Sequence, residues 1–305
     1  MSINNYREID AINQSFLKRM FSSINEIKSK KINHGMIIGD GVDTLMFTPD
    51  LFSEKFTVYD GEIPTANPEK IIRKGLEEGI LFDDLLYVAR ELGLYSKNHD
   101  EVVINKLLPF QEYYDLITTN TRIISREDLN LIMNTTSRLY DSYTGNLVRF
   151  LNKFGETQKI LVGNLEGIKV KGLSDWIVFN PNSALNVSGI HIPKNSLLVA
   201  DLKVGAFNPE NVEGFVMKWN IGFQLTFYSL IAQQMTGLNI CNPVVVYANP
   251  KCSYTSYYQF PDELVEQSKE QIKQAIKIYK QYNNDYSVHY LIKENNGLIK
   301  SKIWV

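Results

Sequence analysis

The sequence predicts an α/β fold, a mixed central β-sheet flanked by helices, with a helical N-terminal half. Two patterns carry this. Early in the chain, apolar residues recur at helical spacing, as in Ile9, Ile12, Phe16, Met20, Ile24 and Ile27. Later, strand-length apolar runs appear (WIVF at 176–179, LLVADL at 197–202, VVVY at 244–247), with long helical patterns over about 212–236 and 261–282.

The totals fit that class. A chain of 305 residues is one large domain or two small ones, with ample length for a core. Its 44% apolar and 22% charged content is that of an ordinary globular protein. No apolar run reaches the ~20 residues that span a bilayer, and MSINNYREID lacks a signal-peptide core. The expectation is a cytoplasmic protein with no membrane partner. Two cysteines, Cys241 and Cys252, are too few for a disulfide framework. A net charge of −2 gives no global basic field, so any nucleic-acid contact must come from a local patch.

In chain order, residues 7–30 read as one amphipathic helix ending in Lys28, Lys30 and Lys31, whose charge suits a helix C-terminus. Pro64 and Pro68 mark a loop leading into a short helix. Helices follow at about 82–93 and 99–118, the second kinked or split at Pro109. Ser125 with Asp128 reads as an N-cap pattern for a helix through Tyr140, and another helix spans roughly 144–153. A hairpin follows, 156–162 with 167–171, around Gly163, Asn164 and Gly167. Residues 180–195, with His191, read as a long connection. The strand at 243–250 pairs with 254–260, and Asp262 caps the last helix. Asn296-Gly297 between alternating runs signals a C-terminal hairpin.

The chemistry gathers between Lys171 and Tyr228. In SLLVADLKV, strand periodicity puts Asp201 and Lys203 on one face. A carboxylate and an ammonium in an apolar run are expensive to bury without partners. A metal site explains them; an edge-strand ion pair is the other reading of these residues alone. Asp175 lies in the preceding strand, and if the two strands are neighbours the carboxylates converge. Two carboxylates suit hard Mg²⁺ or Mn²⁺, and a lysine beside them suits a phosphate or an attacking water. Gln224 and Tyr228, spaced i,i+4, share one helix face.

Asp175, then Asp201-x-Lys203 on a strand, then Gln224-x-x-x-Tyr228 on the next helix resembles the PD-(D/E)XK nuclease superfamily, and within it the RecB- and RecE-like phage-type exonuclease branch. The likeness covers about residues 37–60 and 156–281, including Gly39, Leu45, Pro49, Phe52, Phe56 and Val58. It implies a restriction-endonuclease-like core over 151–305, with a C-terminal helix and hairpin, and a helical region over 1–150 that packs on the core and contributes Asp43. It implies Asp175, Asp201 and Lys203 as catalytic residues, Gln224 and Tyr228 as supporting ones, and Mg²⁺ or Mn²⁺ as cofactor. Many relatives carry Glu where this chain has Asp201, a substitution seen within the branch. Where the family usually places a histidine this chain has Asp43, a candidate third carboxylate ligand or an exposed helix residue. His34 falls outside the matching register. Glu156 is placed to match a glutamate found in the strand before the first Asp, or is an exposed strand-start carboxylate. Cysteines for the iron–sulfur cluster of some relatives are lacking. The activity implied is Mg²⁺-dependent exonucleolytic hydrolysis of duplex DNA ends in phage-type recombination or DNA processing. A single-strand-annealing protein is the implied partner, and relatives form rings, so a homo-oligomer is a further expectation. The alternatives are an endonuclease of the same superfamily and a non-catalytic nucleic-acid-binding or assembly protein on a degenerate nuclease fold.

Overall fold

The computed structural model describes residues 3–19, 34–118, 121–141, 143–180 and 182–282. The chain forms two compact units: one joins the chain up to Asp43 with that from Asn134 onward, and the other is Thr44–Met133. Residue 150, where the sequence reading drew its boundary, lies inside a helix.

The first unit opens with α1 (Ile3–Glu8), β1 (Ile12–Asn13) and α2 (Gln14–Arg19). The single helix expected over 7–30 is therefore broken, and its later part, with Lys28, Lys30 and Lys31, lies outside the described residues. Tertiary partners outweigh helical periodicity here. Ile12 and Asn13 pair in parallel with Val170 and Lys171. The buried Lys171 ammonium donates to the carbonyls of Tyr6 (2.9 Å) and Ile9 (2.7 Å) and lies over the Tyr6 ring. Asn13 Oδ1 then accepts from Phe16 N at 2.9 Å, which restarts the helix as α2. Next comes α3 (His34–Phe47), within which the first boundary between units falls.

The second unit is built from α4 (Phe52–Lys55), β2 (Phe56–Val58), α5 (Ala66–Glu78), α6 (Leu85–Glu91), α7 (Asp100–Leu107), α8 (Gln111–Thr118), β3 (Arg122–Ile124) and the start of α9 (Arg126–Asp141). β2 and β3 pair in parallel. Ile71, Leu85, Val88, Val103, Phe110 and Tyr114 form its core. Pro109 sits in a 3-10 turn between α7 and α8, so the expected split is present. Asp128 N donates to Ser125 Oγ at 3.0 Å and Ser125 N to Asp128 Oδ2 at 3.3 Å, the reciprocal pattern expected at this helix start.

The first unit resumes with α10 (Gly145–Phe154), β4 (Glu156–Leu165), β5 (Ile168–Asn180), β6 (Leu185–Val187), β7 (Ile190–Ile192) and β8 (Ser196–Val204). The connection expected at 180–195 thus contains a small hairpin. Then come α11 (Val212–Lys218), α12 (Ile221–Thr236), β9 (Asn239–Asn249), β10 (Tyr254–Gln259) and α13 (Asp262–Tyr282). One helix was expected over 212–236. It is two, because Asn220 adopts a left-handed backbone (φ 49°, ψ 47°), which an Asn tolerates better than most residues. The expected C-terminal hairpin at Asn296-Gly297 lies outside the described residues.

The main sheet is mixed and runs β1-β5-β8-β9-β10, with β4 on the other edge of β5. β4–β5, β5–β8 and β9–β10 are antiparallel, and β8–β9 is parallel. β1 and β8 share one edge of β5: β1 pairs at Val170 and Lys171, β8 from Trp176 to Asn180. Residues 172–175 lie in the gap between them. α12 is buried along most of its length, with Phe223, Phe227 and Ile231 in one core with Leu197, Val199, Ile177 and Val245, and with Ile272 and Ile276 of α13. Fully burying each Phe contributes about 1.5–3 kcal/mol. Trp176, out of phase with Ile177, donates from Nε1 to Asn152 of α10 at 2.6 Å. Among the described residues, no helix is long and apolar enough to cross a membrane.

The Lys171 latch gives a first test. Lys171→Ala strips two half-buried carbonyls of their donor and should destabilise the fold by about 1–3 kcal/mol. Limited proteolysis should then cut first within residues 3–19, while the wild type resists there.

Candidate active site

β8 is the central strand of the first unit, and its end carries the charged residues. Leu197 and Val199 point into the α12 core, so strand alternation puts Asp201 and Lys203 on that same face. Trp176 pairs with Ala200 and Ile177 with Val199. Continuing that register by one residue sets Asp175 opposite Asp201. The strands start to part here, and the Asp175 carboxylate bridges them: its Oδ2 accepts from Leu202 N at 2.8 Å.

Asp201 is 2% exposed. Its Oδ1 accepts from Gln224 Nε2 at 3.1 Å, and Gln224 Nε2 also lies 3.4 Å from the Tyr228 hydroxyl. Its Oδ2 meets the Lys203 ammonium as an ion pair yet accepts no hydrogen bond of regular geometry. Tyr228 stands over Gly172, where an added Cβ would lie 2.6 Å from the ring. The glycine therefore makes room for the tyrosine.

The electrostatics follow from burial. Asp175 is held well above the usual carboxylate range by desolvation, then by the Asp201 and Asp43 charges, against the pull of Lys203 and the Leu202 N–H. Burial alone would lower Lys203, but Asp201, Asp175 and Asp43 outweigh it and leave the ammonium above its ordinary value. Burial, then Asp201, pushes the Tyr228 hydroxyl up, so it stays protonated.

The structure thus brings together Asp175, Asp201, Lys203, Gln224 and Tyr228. Asp43 lies half-buried on α3, one helical turn after Gly39. A Cβ on Gly39 would sit 3.6 Å from the Val204 carbonyl, so this face of α3 meets the end of β8. Asp43 acts on Asp175 and Lys203 through its charge. Among the described residues no three His, Cys, Asp or Glu side chains close into a metal-holding group. Glu156 is not brought to Asp175: its exposed carboxylate pairs with Lys159 at 2.6 Å. His34 and His191 are exposed. The residue that sequence reasoning missed is Gln158, whose Nε2 donates to Asp175 Oδ1 at 3.2 Å. Within ETQKILV it looks like an ordinary polar strand position, and nothing there signals its role.

Residues 2–288 match the model of the family described as "PDDEXK-like domain of unknown function (DUF3799)". The chain belongs to that family. It is accordingly a member of the PD-(D/E)XK superfamily of nucleases, with the α/β sheet and flanking helices of the restriction-endonuclease-like fold. Among solved structures it is similar to one named "Putative exonuclease" from Eubacterium rectale. The identity is 13% and the TM-score 0.49, over 92% of this chain and 87% of that one. It is also similar to SSO0001, at 16% identity and TM-score 0.26, over 69% of this chain and 85% of that one. No curated protein matches the chain.

PDDEXK-like nucleases generally use divalent metals, and the donors of this member fit one. Asp175 and Asp201 offer hard oxygens on neighbouring strands. The buried Asp201 Oδ2 meets the Lys203 ammonium without a hydrogen bond of regular geometry, which leaves it acceptor capacity for a cation.

The raised Asp175 has a measurable consequence. A carboxyl whose folded pKa lies above its ordinary 3.8 binds its proton more tightly in the fold, so its charge opposes folding at neutral pH. Asp175→Asn keeps an acceptor for Leu202 N and removes that charge. The metal-free variant should melt about 2–4 °C higher than the wild type at pH 7. Calorimetric scans should show the gap closing as pH falls toward 4, where the wild-type carboxyl is protonated.

Proposed function

We propose that this protein is a metal-dependent DNA nuclease, a phosphodiester hydrolase acting exonucleolytically on duplex ends in phage-type recombination or DNA processing. The observation that carries the reading is a buried Asp201 and a half-buried Asp175, set opposite each other by the register of adjacent strands, beside an ammonium kept charged. Family membership supports the hydrolytic chemistry. The likeness of the Asp175, Asp201-x-Lys203 and Gln224-x-x-x-Tyr228 set to the RecB- and RecE-like branch supports duplex ends as substrate. It also supports a single-strand-annealing protein as partner and a homo-oligomeric state.

Asp175 and Asp201 are the residues that would hold Mg²⁺ or Mn²⁺, with Asp43 as a further carboxylate beside them. When bound, the ion supplies Lewis-acid stabilisation of charge on the phosphoryl oxygens and a more acidic water. Lys203 enters protonated. As an ammonium it donates: it holds the attacking water by its oxygen or neutralises charge on the scissile phosphate. The Leu202 N–H fixes one Asp175 oxygen and Gln224 fixes one Asp201 oxygen, so each carboxylate keeps its other oxygen facing its partner groups. Tyr228, held protonated, keeps Gln224 in place from one turn further along α12.

The test is digestion of end-labelled linear duplex DNA with Mg²⁺ or Mn²⁺, with EDTA and Lys203→Ala as controls. Progressive nucleotide release is expected, lost with EDTA and reduced at least 100-fold by Lys203→Ala, a factor typical of removing a charge-stabilising donor. Cutting of closed circular duplex would assign endonucleolytic action instead. Inactivity of the wild type on linear, circular and single-stranded DNA would overturn the reading.

A further inference from the structure

The strand pair β4–β5 contains an irregularity at the site. Gln158, the third residue of β4, has φ 47°, a left-handed backbone that a glutamine with a full side chain adopts only at a cost. The ladder is regular on both sides: Thr157 pairs with Trp176 and Lys159 with Ser174. Gln158 and Asp175 are the residues between, opposite each other and outside the ladder.

Its effect on β5 can be read from which residues face α12. Before this point they are even-numbered: Val170 lies in the α12 core and Gly172 lies under Tyr228. After it they are odd-numbered: Ile177 is in that core and Phe179 packs against it. A regular strand keeps one parity throughout. The parity slips by one between Gly172 and Ile177, opposite the left-handed residue. Without the slip, the even face would continue and Asp175 would point away from Asp201. With it, Asp175 shares the α12 side with Asp201 and Gln224.

We infer that Gln158 is a positioning residue for the Asp175 carboxylate: its left-handed backbone accompanies the turn of Asp175 onto the α12 side, and its Nε2 fixes Asp175 Oδ1 there. Two of the Asp175 lone-pair directions are thereby set by donors from two strands, Gln158 on β4 and Leu202 on β8. Hydrogen bonds behind a metal-binding carboxylate orient it, and their loss typically weakens metal affinity or activity 10- to 100-fold. This inference rests on the metal-dependent reading of the site.

Two substitutions separate the side chain from the backbone. Gln158→Asn and Gln158→Gly both accept the left-handed backbone, so both should fold with a Tm at or above that of the wild type. Neither reaches Asp175: Asn is one methylene short and Gly has no side chain. Titration calorimetry with Mn²⁺ should show affinity falling about 10-fold or more in both. In steady-state DNA cleavage kcat should fall about 10- to 100-fold, with KM within twofold of the wild type. A third variant, Gln158→Val, disfavours the left-handed backbone through its branched Cβ and should lower both Tm and Mn²⁺ affinity. Folded Gln158→Asn and Gln158→Gly proteins with wild-type Mn²⁺ affinity and kcat would overturn the positioning role and leave the nuclease reading standing. A wild type that binds no Mn²⁺ would overturn both.

Discussion

The site depends on one constraint, the antiparallel pairing of β5 with β8 that sets Asp175 opposite Asp201. Directly opposed strand residues stand about 5 Å apart, where two like charges repel by roughly 3 kcal/mol at an effective dielectric constant near 20. A fold selected for stability alone would place apolar residues there, as it does one pair further on with Ala200 and Trp176. The charges persist because each is met by a specific group: Lys203 against Asp201, and the Leu202 N–H and Gln158 against Asp175. The remaining imbalance is visible in the raised proton affinity of Asp175. A divalent cation held by these carboxylates would offset that imbalance, in keeping with the proposed metal chemistry.

Around this pair the first unit is arranged to free one stretch of strand edge. β1 and β8 occupy the same side of β5 in succession and leave residues 172–175 between them. Gly172 in that gap admits the Tyr228 ring, and Tyr228 in turn adjoins Gln224. At its other end the gap carries Asp175. The N-terminal arm that supplies β1 is latched by Lys171, the residue just before the gap. Local features that look unrelated in the chain thus meet on one segment of β5.

Much of this order was legible in the residues. Asp201 and Lys203 stood out because charge in an apolar strand needs a reason, and Gln224 and Tyr228 because i,i+4 spacing puts them on one helix face. Capping chemistry located the start of α9, and Pro109 the break between α7 and α8. What was not legible shares a cause. The helix read over residues 7–30 gave way to β1 and α2 because Lys171, some 160 residues later, competes for its carbonyls. The long helix over 212–236 broke at Asn220, where a single residue's left-handed backbone outweighs continuous helical periodicity. Gln158 gave no signal, since alternation counts along a strand and cannot register a residue that shifts the count.

The sequence by itself therefore determined the class of fold, the strands and helix that carry the charged residues, and the family to which they point. Those properties reside in short windows, where periodicity and residue chemistry act between near neighbours. Tertiary structure alone decided which carboxylates meet. Asp175 and Asp201 face each other through strand register, Asp175 turns toward α12 through the irregularity at Gln158, and Glu156 pairs with Lys159 instead. Register and backbone handedness are settled by packing between segments distant in the chain, and no single window of residues contains that information.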